Sequence, residues 1–134
     1  MIHLDTSFVV DFLRETSRSE EGSATGLLRS LDQNEIAISF FVLCELYAGA
    51  ALAAHEVEER ARVAKFCAAL PVIYPNDGFA DAYGRLAAML RRSGQNTGVM
   101  DVLIATTALR EGARLITRDR KNFLSVPDLE LIFY

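Results

Sequence analysis

Five short apolar runs, Ile2–Leu4, Ile36–Ile38, Val72–Tyr74, Leu115–Thr117 and Leu131–Phe133, are separated along the chain by segments with helical patterning. Short apolar strands that alternate with helices imply a parallel sheet covered on both faces, an α/β fold. The first helix is expected through SFVVDFLR, and a polar stretch (ETSRSEEGSATG) leads to a second ending near Gln33. A long apolar helix should run from Phe40 to about Ala54, with Ser39 as its N-cap. Glu56–Leu70 reads as amphipathic, with Val57, Ala61, Ala64 and Ala68 on its apolar face. Asp77 is placed to cap a helix through FADAYGRLAAMLRR that stops at Ser93–Gly94, and a last helix runs from Thr97 or Gly98 to Gly112. No linker or repeat divides the 134 residues, so a single domain spanning 1–134 is expected.

Against this pattern four acids stand out. Glu45 is the only charge in Ile36–Ala54, and Asp101 the only charge in Thr97–Leu109. Asp5 and Asp119 each follow an apolar run that reads as a strand. An acid in an apolar segment costs several kcal/mol unless it is paired, protonated or bound to a cation. Ligand sites in open parallel sheets lie at the carboxyl ends of the strands, and all four acids can reach that edge.

Each acid also has a plainer reading. Asp5 would serve as a helix cap, and Asp101 would gain about 0.3–1 kcal/mol from the dipole of its helix. Asp119 sits in the polar loop RDRKN, where an Asp is unremarkable. Glu45 resists such an account, because Phe41, Val42, Ala48 and Gly49 offer it no basic partner one turn away. Together the acids form a cluster in want of a metal ion. Two carboxylates about 5 Å apart repel by roughly 3 kcal/mol at an effective dielectric near 20. Oxygen donors without Cys or His suit Mg²⁺ or Mn²⁺ rather than Zn²⁺. Thr6, Ser7 and Thr117 flank the acids and are candidates to orient them.

Other readings narrow quickly. The net charge of −4 argues against attachment to nucleic acid by overall charge alone. A local rim remains open to Arg14, Arg18, Arg118, Arg120 and Lys121. The apolar stretch Ile36–Ala54 has Glu45 near its centre, unlike a membrane span, and MIHLDTS lacks the basic and apolar regions of a secretory signal. Cys44 and Cys67 are expected as buried thiols in a reducing compartment, which points to a cytoplasmic protein. His3 and His55 are read as structural or surface residues.

The motifs resemble those of the PIN-domain ribonucleases, in particular the VapC toxins of type II (VapBC) toxin–antitoxin pairs. MIHLDTSFVVDFL is similar to the family's first strand, catalytic Asp and Thr/Ser; ISFFVLCELYAG is similar to its second motif, with Glu45 as the acid. TGVMDVLIATTALREGARLITRDRKNF resembles the third and fourth motifs, mapping their acids to Asp101 and Asp119 and a Ser/Thr to Thr117. The resemblance implies a five-stranded parallel sheet in order 3-2-1-4-5 and a homodimer. It also implies a Mg²⁺-dependent endoribonuclease with Asp5, Glu45, Asp101 and Asp119 as catalytic and metal-binding residues, restrained by a VapB-type antitoxin and acting on a tRNA or rRNA loop. Alternatives are a solitary PIN-domain RNA-processing nuclease, a PIN fold that binds without catalysis, and a Mg²⁺-binding phosphoacceptor receiver domain. The last fits poorly, because a single Asp follows the first strand and no Lys follows the fifth.

Overall fold

β1 (Ile2–Leu4) is the middle of the sheet in the computed structural model, which describes residues 1–31 and 35–134. It pairs in parallel with β2 (Ile36–Ser39) on one side and β4 (Arg114–Ile116) on the other. β3 (Val72–Ile73) and β5 (Leu131–Ile132) close the edges, giving the all-parallel order 3-2-1-4-5. A receiver domain would have the order 2-1-3-4-5, so the sheet removes that alternative. Ile2, His3 and Leu4 are all buried, as a central strand with both faces covered must be.

The covering helices are α1 (Thr6–Ser17), α2 (Ser23–Ser30), α3 (Phe40–Ala51), α4 (Glu56–Ala68), α5 (Phe79–Arg92), α6 (Val99–Arg110) and the short α7 (Arg120–Phe123). Phe8 and Val9 of α1, Val42 and Leu46 of α3, and Val102 and Ile104 of α6 join β1, β2 and β4 in one hydrophobic cluster. Truncating a fully buried side chain such as Phe8 to Ala would cost about 3–5 kcal/mol. Ser39 caps α3 as expected, its Oγ accepting from the Val42 N–H at 3.1 Å. No described helix is long and apolar enough to cross a membrane.

Several expectations need correction. α1 continues to Ser17, and the polar connection is tied down by Glu15, whose carboxylate accepts N–H bonds from Gly22 and Thr25. Those bonds, that from Thr25 foremost, hold the Glu15 carboxyl below its usual pKa, and a Cβ at Gly22 would collide with it. The expected end of the second helix near Gln33 lies outside the described residues. On α4 the buried face carries Val63 and Cys67, flanked by the half-buried Phe66 and Leu70, whereas Val57 is 83% exposed. Larger side chains remove more apolar area from water than an alanine stripe does, and they set the rotation of the helix. Asp77 does not cap α5; Gly78 does so at φ 86°, a left-handed conformation that glycine adopts without strain. Cys67 is buried but Cys44 is exposed, and both are free thiols. RDRKN is no plain loop, since Asp119 starts α7 and the completely buried Phe123 anchors it.

Candidate active site

The four acids arrive at one edge of the sheet from four elements. Asp5 ends β1 at the N-cap position of α1, Glu45 lies in the second turn of α3, Asp101 in the first turn of α6, and Asp119 at the N-cap position of α7. Asp5 is 4% exposed and its side chain makes no capping bond to α1. Instead its Oδ2 accepts from the Thr117 hydroxyl at 2.7 Å and the Ser7 hydroxyl at 2.9 Å. The helix-cap reading of this carboxylate therefore fails. Burial pushes its pKa up, the charge of Asp119 adds to the rise, and the bonds from Thr117, Ser7 and the Thr6 backbone pull against it.

Glu45 is half-buried, and its Oε1 accepts from the Thr6 hydroxyl at 2.6 Å. Thr117 is fully buried and links two acids, donating to Asp5 while its Oγ1 accepts the Asp119 N–H at 3.0 Å. Asp119 does cap its helix: Oδ1 accepts from the Asn122 N–H at 3.1 Å and Oδ2 from the Asn122 side-chain amide at 2.7 Å. Asp101 differs from the other three. It is half-buried, and among the described residues no donor reaches its carboxylate. Burial raises its pKa to about 6, assisted by the negative charges of Asp5, Asp119 and Glu45.

These acids feel one another without closing up. Among the described residues no three acidic, histidine or cysteine side chains converge far enough to hold a metal ion as they stand. Their mutual repulsion adds to the rise in the Asp101 pKa, which burial chiefly causes. The donor set fits a hard divalent cation: carboxylates only, hydroxyls behind them, and no sulfur or imidazole among the four acids and their partners.

The proposed basic rim is divided in two. Arg14 and Arg118 both pair with Asp11, Arg118 at 3.0 Å, and the Arg120 guanidinium lies 3.9 Å from the centre of the Phe133 ring. Arg18 and Lys121 have exposed side chains with no ion pair among the described residues. Arg14 and Arg18 line a groove of about 360 Å³ that also holds Glu45 and Arg62. Asp11 was missed by the sequence reading. It is the only charge in Thr6–Leu13, the same signal that flagged Glu45 and Asp101, and it also accepts from the Tyr134 hydroxyl at 2.8 Å. Burial and that bond push the Tyr134 pKa up.

A parallel sheet in order 3-2-1-4-5 with four acids at its carboxyl edge defines the class, and the family model described as the PIN domain matches residues 2–129. Ribonuclease VapC19 of Mycobacterium tuberculosis is 37% identical over 129 residues, 95% of each chain. Ribonuclease VapC2 of Rickettsia felis is 34% identical over 98 residues, 73% of each chain. The crystal structure of VapBC2 from Rickettsia felis bound to a promoter DNA fragment superposes with a TM-score of 0.89 at 30% identity, covering 100% of this chain and 99% of that one. The chain belongs to the PIN-domain family, among its VapC ribonucleases.

Proposed function

We propose that the chain is a Mg²⁺-dependent endoribonuclease, the toxin of a VapBC-type pair, that cuts structured RNA in a tRNA or ribosomal RNA loop. The observation that supports this most is Asp101: a half-buried carboxylate that no donor reaches among the described residues, within the field of three other acids. Such an arrangement costs stability in the folded protein and is relieved by a cation. Asp5 and Asp101 would be the principal ligands, with Glu45 and Asp119 completing the site directly or through water. Once bound, Mg²⁺, or Mn²⁺ in its place, would supply an activated water and stabilise charge developing on the phosphate. The chain's own groups set the stage for it. Ser7 and Thr117 orient Asp5, Thr6 holds Glu45, and Asn122 holds Asp119. Asp101 is left as the acid free to turn.

Substrate choice follows from charge. A protein of net charge −4 lacks broad attraction for RNA, so binding must come from the local cations Arg14, Arg18, Arg118, Arg120 and Lys121. Arg18 and Lys121, which have no ion pair among the described residues, are foremost. A small rim favours a loop whose bases can splay out over a continuous duplex. Inhibition would use the same acids. An antitoxin arginine would pair with them in competition with Mg²⁺, while an apolar segment lies in the groove of about 500 Å³ between α1, α2 and α4. The acting form in this reading is a homodimer. The test is to induce the chain in cells and sequence the cleaved RNA ends. One or a few loop sites, absent with Asp101→Asn, are expected; cuts spread evenly over all transcripts would overturn the loop assignment. A short open reading frame just upstream, whose product copurifies and inhibits less at high Mg²⁺, is expected for the toxin role.

A further inference from the structure

Sharing no lining residue with the arginine groove, a second pocket of about 170 Å³ is lined by Gln95, Asn96, Thr97, Lys121 and Asn122. It adjoins the acids twice. Thr97 precedes Gly98, the cap of the helix that carries Asp101, and Asn122 donates to Asp119 at 2.7 Å. The side chains of Gln95, Asn96, Thr97 and Lys121 have no hydrogen bond or ion pair among the described residues. The Gln95 backbone is nevertheless held. Gly94 at φ 74° ends α5, with its N–H on the Arg91 carbonyl at 3.0 Å and the Gln95 N–H on the Leu90 carbonyl at 2.8 Å. Those two bonds form the terminal hydrogen-bonding pattern that holds a helix end rigid.

The groove and the pocket thus offer different chemistry. The groove beside Glu45 offers arginines, which hold phosphates and carry little sequence information. The pocket beside Asp101 and Asp119 is lined by three primary amides, of which Asn122 is committed to Asp119 while Gln95 and Asn96 are unengaged among the described residues, plus a hydroxyl and one ammonium. No carboxylate lines it. Amides are the side chains that match the edge of a base, and one well-made bidentate contact discriminates between bases by roughly tenfold or more. Resting on the nuclease reading above, we propose that this pocket receives the base of the RNA nucleotide beside the cleaved phosphodiester. Gln95 and Asn96 read its edge and Lys121 takes its phosphate. The pocket is therefore where this chain chooses its cut.

The experiment uses a panel of hairpin RNAs whose loop positions are varied through all four bases. Binding is followed by fluorescence anisotropy in EDTA, and cleavage in Mg²⁺. The wild type should prefer one base at one loop position by roughly tenfold or more in both assays. Gln95→Ala with Asn96→Ala should lower that preferred loop to the level of the others. Lys121→Met should weaken all loops alike and reduce the salt slope of binding by about one. A wild type with no preference, or a double variant that keeps it, overturns the pocket and leaves the nuclease reading standing. A wild type that binds with preference but never cuts overturns the nuclease reading, while loss of that binding preference in the double variant still supports the pocket.

Discussion

Two groups of carboxylates share this small sheet edge, and the protein treats them oppositely. Asp11 is buried with an arginine on either side and a tyrosine hydroxyl on its second oxygen. Its charge is cancelled from within, and it ties α1 to the segment that carries Asp119. Among the described residues Asp5, Glu45 and Asp119 receive hydroxyls or amides but no cation, and no donor reaches Asp101. Burial of an acid therefore does not mark function here. Burial without an internal counter-charge is the stronger pointer to a ligand, because its cost then has no internal offset.

The largest expected effect separates the groups by activity. Asp5→Asn and Asp101→Asn should each lower RNA cleavage by roughly 10²–10³-fold or more, whereas Asp11→Asn should stay within about tenfold of wild type. Single-turnover assays at fixed Mg²⁺ check this, and an Asp11 variant as inactive as Asp101→Asn would erase the distinction. Next comes stability, with opposite signs. Asp11→Asn should lose about 1–2 kcal/mol, less than a fully buried pair would, because both arginines are about half exposed and can hydrate. Asp101→Asn should gain about 1 kcal/mol at pH 7 by removing a charge disfavoured first by burial and then by its acidic neighbours, a rise of roughly 3–5 °C in Tm.

A smaller effect is the pH dependence of that gain. The folded-state pKa of Asp101, about 6, lies above its ordinary 3.8, so between these values the folded protein holds a proton the unfolded chain lacks. Wild-type stability from this group is present at low pH and lost as pH rises through about 6. The advantage of Asp101→Asn should accordingly vanish near pH 4. His3 works the other way: burial lowers its pKa from 6.5 to about 4, so acidification through that window favours unfolding in wild type and variant alike. Taking the difference between the two proteins at each pH cancels His3. The smallest effect belongs to the exposed cations. Arg18→Ala should raise KM a few-fold without changing kcat, while Arg118→Ala should also lower Tm, because Arg118 serves Asp11 as well as any RNA.

Most of the frame was legible because it rests on hydrophobic periodicity. Among the described residues the five strands and the helices α1, α3, α4, α5 and α6 stand where apolar runs and helical spacing put them, within a few residues at the ends, whereas α2 begins at Ser23, inside the stretch read as a polar connection. The errors fell where weak local signals compete. An alanine stripe on α4 lost to Val63, Phe66 and Cys67, and Asp77 lost the cap to a glycine that can turn left-handed. The acids were legible as single charges in apolar segments, and that rule alone would have added Asp11. What it could not supply was pairing: only the folded chain brings Arg118 and Tyr134, more than a hundred positions away, onto Asp11. The cap made by Asp119 was hidden for a related reason, since α7 is one turn long and shows no periodicity.

Thermal unfolding of the wild type and Asp101→Asn, each in EDTA and in Mn²⁺ or Mg²⁺, tests the uncompensated cluster most directly. At a metal concentration about a hundredfold above its Kd, binding to the folded state alone contributes about 2.7 kcal/mol. The wild type should start below the variant in EDTA and overtake it when metal is added, while Asp101→Asn barely responds. A wild type whose Tm ignores both ions, together with an Asp101→Asn protein that is less stable in EDTA, would contradict the account.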